Sequence, residues 1–351
     1  MKALLLTSPS SLMFTDIETP QPRAGDVRVR IAACGICGSD VHGYTGSTGR
    51  RVPPLVMGHE AAGIIDAVGL DVSGEMIGQR VALDSTVFCG ECDFCRNGQE
   101  NLCTDRQVLG VSCDAYRRHG CFAEYVIVPK RCVYPLPDQL DFIAASLLEP
   151  LTIGLQAVRL GNAGPTTRSA VVVGVGTIGL AIVAALKAYG VQRIAAVDLD
   201  AGRLKEAKDL GADDVFDAAQ VNPKQLAEWG TSSVDTDGAD LVLEAVGAAA
   251  SVDTAIHAVT RGGIVVLVGN VSPTVEIPLQ TIVTRQIRLQ GSCASAGCYP
   301  EAIGFAASGK VDLSRFVSRV GPLVEGAGWF ERLHKREPGL LKVVLQPTEL
   351  E

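Results

Sequence analysis

Residues 170–200 read AVVVGVGTIGLAIVAALKAYGVQRIAAVDLD. Ala170 to Val173 is an apolar run suited to a strand buried on both faces. Gly174, Gly176 and Gly179 follow it as G-x-G-x-x-G, with Thr177 and Ile178 inside the motif. From about Thr177 to Tyr189 the pattern predicts a helix, which Gly190 stops. Arg193 to Val197 predicts a second strand, and Asp198 stands at its end. A strand, a glycine-rich turn, a helix and a strand ending in a carboxylate form a dinucleotide-binding unit. The glycines let backbone approach a pyrophosphate, and the positive end of the helix holds it. Asp198 would accept hydrogen bonds from the adenosine ribose and repel a 2′-phosphate, so NAD is expected over NADP.

Working outward, the alternation continues. Asp200 can cap a helix whose apolar Leu204, Ala207 and Leu210 recur at helical spacing. Ala239 to Val246 and Ile264 to Val268 are apolar enough for strands covered on both faces. The expected fold class is therefore α/β, a Rossmann-type doubly wound parallel sheet. The first 150 residues differ, with little helical periodicity. Val27, Val29 and Ile31 alternate with Arg28 and Arg30, and Gly78 to Asp84 and Phe122 to Val128 read as further strands. They predict a β-rich, barrel-like second domain. The expected boundaries are 1–151 with 292–351 for that domain and 152–291 for the dinucleotide-binding one.

A net charge of -8 without any run of Lys or Arg argues against a nucleic-acid partner. Ala170 to Leu186 is almost wholly apolar, but its glycines and short length argue for a strand and buried helix, not a membrane span. The opening MKALLLTSPSS turns polar too soon for a signal peptide, so a cytoplasmic setting is expected. There, eleven cysteines point first to metal, and their odd number suits complete disulfide pairing poorly.

Four of them, Cys89, Cys92, Cys95 and Cys103, stand as C-x2-C-x2-C-x7-C in FCGECDFCRNGQENLC. Four thiolates in a short loop can wrap one tetrahedral ion, and an all-sulfur set favours zinc in a closed, structural site. An iron–sulfur cluster is the rival reading, because short C-x2-C runs also hold clusters. A second group is looser. C-G-I-C-G-S-D-V-H runs from Cys34 to His42, and G-H-E follows at Gly58 to Glu60. Cys37, His59 and Glu60 offer a thiolate, an imidazole and a carboxylate, which would leave a fourth position on zinc open for chemistry. Spacing alone leaves alternatives standing: His59 as a core histidine, or Cys34 with Cys37 as a redox pair.

Taken in order, G-I-C-G-S-D-V-H, G-H-E, the four-cysteine lobe, E-P-L at Glu149 to Leu151 and G-V-G-T-I-G resemble the zinc-dependent medium-chain dehydrogenases. The sorbitol (polyol) and threonine dehydrogenase branch is most similar, because Glu149 stands where ethanol-type enzymes have a second cysteine. The resemblance covers nearly the whole chain. It implies a GroES-like catalytic domain beside the Rossmann domain, one catalytic and one structural zinc, NAD, and a homodimer or homotetramer. It matches Cys37, His59 and Glu60 to the catalytic zinc ligands, and Glu149 to a carboxylate that binds the ion directly or through its water. Ser39 and His42 match a proton relay, Arg203 a position near the ribose, and Val246, Gly247, Val268 and Gly269 the lining of the dinucleotide pocket.

The expected activity is hydride transfer from a secondary alcohol, namely a polyol, sugar or sugar phosphate, to NAD. A threonine or amino-alcohol dehydrogenase is the nearest alternative, and a non-catalytic NAD- and zinc-binding regulator is the third. Tyr44, Arg50 and Arg51, with Arg117, Arg118 and His119, are candidates for substrate selection. The arginines are read either as ligands for a substrate anion or as solvated surface charges.

Overall fold

A computed structural model describes residues 1–231 and 236–347. The chain divides into two units, Met1–Glu149 with Tyr299–Glu351, and Pro150–Cys298.

The first unit is organised by the strand Asp26–Gly35, whose alternating Val27, Val29 and Ile31 are fully buried. It pairs antiparallel with Glu60–Val68, with Tyr125–Pro129 and with Val343–Gln346. Arg80–Leu83, Val133–Pro135 and Arg319–Pro322 extend the sheet to seven strands. The register determines which residues meet at its end. Gly35 lies opposite Glu60, and Val344 lies opposite Gly35 on the other side. Three distant stretches thus end together: residues just past Gly35, those just before Glu60, and the residue preceding Val343. A hydrophobic core of Leu4, Leu6, Ile31, Met57, Ile65, Leu83 and Phe122 supports this layer, and Phe330 packs edge-on against Phe122 at 5.7 Å. The strands expected at Gly78 to Asp84 and Phe122 to Val128 are present as Arg80–Leu83 and Tyr125–Pro129.

The second unit is a six-stranded, all-parallel sheet. Its order is Asp214–Asp217, Ile194–Asp198, Ala170–Val173, Ala239–Glu244, Val259–Leu267, Arg288–Gly291. In chain order that is 3-2-1-4-5-6, the doubly wound Rossmann arrangement. The central strand Ala170–Val173 is buried throughout, as its composition requires. The helix after it spans Thr177–Ala188 and is buried over most of its length, which accounts for the long apolar run. Asp200 caps the helix Ala201–Asp209 by accepting the Arg203 N–H at 3.0 Å. Both outermost strands, Asp214–Asp217 and Arg288–Gly291, escape the sequence pattern because half-exposed edge strands carry charged residues. Among the described residues no helix is long and apolar enough to cross a membrane.

Candidate active site

Cys37 sits at the mouth of the short helix Gly38–Tyr44, immediately beyond the strand Asp26–Gly35. Glu60 begins the neighbouring strand, and His59 immediately precedes it. The sheet register therefore brings Cys37, His59 and Glu60 together, with their ligand atoms all within 4.8 Å of one another. Gly35 makes this possible, because a methyl group there would collide with the Glu60 carboxylate.

The surroundings of this trio come from residues that no local motif announces. Asp40 is fully buried, and its Oδ2 lies 3.3 Å from His59 Nδ1. Neither atom has another polar partner. A carboxylate on Nδ1 is the usual way to orient a metal-binding imidazole and leave Nε2 for the ion. Asp40 Oδ1 accepts from Arg51 Nε at 3.2 Å and Nη2 at 2.9 Å. Burial opposes ionisation of Asp40, but the neighbouring His59 and Arg51 outweigh it and hold the carboxyl well below its ordinary range. Burial likewise disfavours a charged His59, yet Asp40 and Cys37 pull its pKa well above the usual value. An ion arriving at this site therefore displaces protons.

Lys342, only 1% exposed, donates to both Glu60 oxygens at 2.8 and 2.7 Å and to the Ile36 carbonyl at 2.9 Å. Burial works against the Lys342 charge, and the negative Glu60 and Cys37 more than restore it. Each carboxylate oxygen has two acceptor positions, so the ion pair leaves Glu60 able to ligate. Glu149, in the first turn of the helix Leu148–Leu160, accepts from Ser85 Oγ at 2.9 Å. Burial, with Glu60 nearby, raises its pKa to about 6 against the pull of His59, Ser85 and Lys342. One thiolate, one imidazole oriented through its second nitrogen and one lysine-balanced carboxylate suit a mixed-ligand zinc site.

Ser39 and His42 lie three residues apart on the helix Gly38–Tyr44, and both are exposed. Ser39 Oγ accepts from Arg51 Nη2 at 3.4 Å. The other selectivity candidates divide. Arg51 is spent on Asp40, and Tyr44 is buried with its hydroxyl on the Ser10 carbonyl. Arg50 stays exposed. Arg117 donates to Ser112 and Pro53, Arg118 to Gln107, and His119 accepts the Val56 N–H. Asp40, Ser85 and Lys342 escaped the sequence reading. Asp40 alone left a signal, as an acidic residue between Ser39 and His42.

In the lobe the Cys92 and Cys95 sulfurs stand 3.4 Å apart, and those of Cys89 and Cys95 3.9 Å. Thiolates bound about 2.3 Å from one tetrahedral ion are separated by about 3.8 Å. The spacing suits a single ion; a cluster distributes its cysteines over several metals and needs them wider apart. Backbone N–H groups of Glu91 and Cys92 donate to Cys89 Sγ, and that of Asp105 to Cys103 Sγ. Such donors favour thiolates: the backbone at Cys95 and Thr104 lowers Cys92 to about 6. Among the described residues no disulfide links the cysteines.

In the Rossmann unit the three glycines have separate reasons. Gly174 has φ +86°, and a side chain there would strike Val246. Gly179 packs its helix against the Gly174 carbonyl, whereas a methyl on Gly176 would meet only open space, where a pyrophosphate can approach. Thr177 and Ile178 open the helix. Asp198 accepts the Val175 N–H at 2.8 Å and the Asp200 N–H at 3.0 Å, which still leaves acceptor positions for ribose hydroxyls. Val246 and Gly247 follow one strand end, and Val268 and Gly269 the next. Buried Glu244 ties the first pair by accepting both N–H groups at 2.8 and 2.7 Å.

Comparison with known proteins agrees with this geometry. Residues 23–138 match the alcohol dehydrogenase GroES-like domain, and residues 177–308 match the zinc-binding dehydrogenase domain. Sorbitol dehydrogenase of Bacillus subtilis is 34% identical, over 99% of this chain and 98% of that protein. The chain belongs to the zinc-dependent medium-chain polyol dehydrogenase family. It is an oxidoreductase acting on CH–OH donors, of a zinc-binding dehydrogenase family that uses a nicotinamide dinucleotide. L-idonate 5-dehydrogenase of Vitis vinifera is 37% identical, over 84% of this chain and 80% of that protein. Among solved structures, an alcohol dehydrogenase (rspB) from Escherichia coli CFT073 complexed with NADH is 31% identical. It superposes with a TM-score of 0.90 over 99% of both chains.

Proposed function

We propose that this polyol dehydrogenase family member oxidises a secondary hydroxyl of a polyol, sugar or sugar phosphate, with NAD as acceptor. The observation that carries the reading is the convergence of Cys37, His59 and Glu60, with Asp40 on the far nitrogen of His59. These three would hold the catalytic zinc, with Glu149 as a further carboxylate for it. Cys89, Cys92, Cys95 and Cys103 hold the structural zinc. When bound, zinc polarises the substrate hydroxyl and lowers its pKa, and NAD accepts the hydride from the carbinol carbon.

The chain's own groups manage the proton. Ser39 accepts it from the substrate hydroxyl while giving up its own. His42, one helical turn on and exposed, passes a proton on to solvent. Gly174, Gly176, Thr177, Ile178 and Gly179 bind the pyrophosphate, and Asp198 with Arg203 the adenosine ribose. Val246, Gly247, Val268 and Gly269 line the rest of the dinucleotide pocket. With Arg51 consumed by Asp40, a substrate anion would have to be met by Arg50 or Arg117. Assembly as a homodimer or homotetramer is supported by the open edge strand Arg288–Gly291 and by exposed Leu279 and Val283 on the helix before it. The absence of disulfides among the described residues suits the cytoplasm.

NADH formation from polyols, sugar phosphates, simple diols and threonine, with bound zinc counted on the same sample, tests the reading. Zinc-dependent turnover of polyols supports it. Turnover of threonine alone moves the chain to the amino-alcohol branch, and zinc retention without any turnover favours the regulatory alternative. Asp198→Ala should weaken discrimination against NADP about tenfold, which is worth about 1.4 kcal/mol. An unchanged ratio of kcat/KM for the two cofactors removes Asp198 from that role.

A further inference from the structure

Arg51 packs its guanidinium against the helix Gly38–Tyr44, which carries both Ser39 and Asp40, and it is 7% exposed. An arginine at the edge of a substrate pocket would keep its guanidinium available. Here Nε and Nη2 go to Asp40 Oδ1, Nη1 to the Arg50 carbonyl at 3.2 Å, and Nη2 also reaches Ser39 Oγ at 3.4 Å. Room for its stem is provided by Gly43, where a methyl group would collide with the Arg51 Cγ. We propose that Arg51 is a positioning residue for both halves of the reaction site, orienting His59 through Asp40 and the hydroxyl of Ser39 directly. This rests on the reading of Cys37, His59 and Glu60 as the catalytic-metal site.

The argument for the His59 half is geometric. A carboxylate can present either oxygen, and its rotamer decides where the imidazole ring settles. With Oδ1 held by two N–H groups of one rigid guanidinium, Oδ2 is the oxygen left for His59 Nδ1. The ring is thereby fixed with Nε2 toward the ligand cluster. The Ser39 half follows from donor counting. Serine has one donor and two acceptor positions, and a guanidinium can only donate. Arg51 therefore occupies one acceptor position of Ser39 and turns its O–H elsewhere. The second acceptor position remains for the substrate hydroxyl, while the serine's own proton points to an onward acceptor. Relay and metal site thus share one cation.

The test uses the zinc-loaded enzyme and the same protein with cobalt(II) at the Cys37–His59–Glu60 site, in Arg51→Met, Arg51→Lys and Gly43→Ala. For Arg51→Met we expect metal loss to a chelator to accelerate about 10–100-fold. The cobalt absorption bands should shift, and kcat should fall about tenfold with KM for NAD unchanged. Gly43→Ala should move all three in the same direction with the charge retained, and Arg51→Lys should recover only part of the loss, since an ammonium lacks the fork. A folded Arg51→Met enzyme with parental cobalt bands, metal retention and kcat, and only a lower melting temperature, overturns the proposal, because Arg51 would then be a brace. If Arg51→Met does not fold, parental cobalt bands and kcat in both Arg51→Lys and Gly43→Ala overturn it equally. A parent enzyme with no zinc outside the cysteine lobe would refute the metal-site reading itself, before Arg51 is altered.

Discussion

The four-cysteine lobe and the Cys37–His59–Glu60 site are built by opposite strategies. The lobe takes its ligands from one short stretch, Cys89 to Cys103, and orients them with N–H groups of its own loop. The other site gathers its candidate ligands from the ends of two neighbouring strands and support from Asp40, Arg51, Ser85, Glu149 and Lys342, which extend along most of the chain. A local site can tolerate change elsewhere, because nothing distant holds it. A dispersed site is only as good as the sheet register that assembles it, but its support can be adjusted from many positions.

The contrast is tested most strongly at the ligands. Cys37→Ser should lower turnover by about 10³-fold or more while leaving NAD affinity and the lobe zinc intact, since the thiolate is lost from an open catalytic site. Calorimetry and metal analysis check this, and undiminished turnover would remove Cys37 from the catalytic set. Next, in the zinc-free protein Lys342→Met leaves Glu60 buried without its counter-ion, so denaturant unfolding should show a loss of about 3–5 kcal/mol. A loss confined to a few tenths would mean that the dispersed site does not depend on its remotest member. In the lobe, Cys103→Ser should release one zinc and lower the melting temperature by roughly 5–10 °C. Turnover at low temperature should stay within about tenfold, and a collapse comparable to that of Cys37→Ser would show that the two regions are not independent.

The smallest effect concerns Asp84, buried near Glu149. Desolvation raises its pKa from 3.8 to about 8, against the Thr86 N–H that it accepts, with Glu149 and Glu100 adding to the rise. The fold therefore keeps a proton that the unfolded chain gives up between those values, and stability falls as pH rises through that window. Asp84→Asn keeps the acceptor for Thr86 and has nothing to titrate. Its stability–pH profile should be flatter across that window. Parallel profiles would show that Asp84 does not titrate in this range.

The same contrast explains what could be read in advance. The lobe was legible because its ligands are sequence neighbours. The strand–glycine–helix unit at Ala170–Ala188 was legible because strand, turn and helix each carry their own periodicity. Cys37, His59 and Glu60 were legible only through the order of motifs along the chain, since as isolated residue types they admit a core histidine or a thiol pair. Arg51, open from sequence as either an anion ligand or a surface charge, is neither, because it is buried on Asp40. Its position between the ligand motifs was correct, but the direction of its side chain depends on the glycine at 43 and the aspartate at 40.

By itself the sequence determined the two kinds of domain, the four-cysteine lobe and the dinucleotide fingerprint, which are encoded in local pattern, and it offered Cys37, His59 and Glu60 as a candidate metal set through the order of its motifs. Only the tertiary structure decided which charges are paired: Lys342 on Glu60, Arg51 on Asp40, Ser85 on Glu149. The reason is physical. Hydrophobic periodicity and ligand spacing belong to neighbouring residues, whereas a buried ion pair is selected by low dielectric and by a strand register that joins residues far apart in the chain.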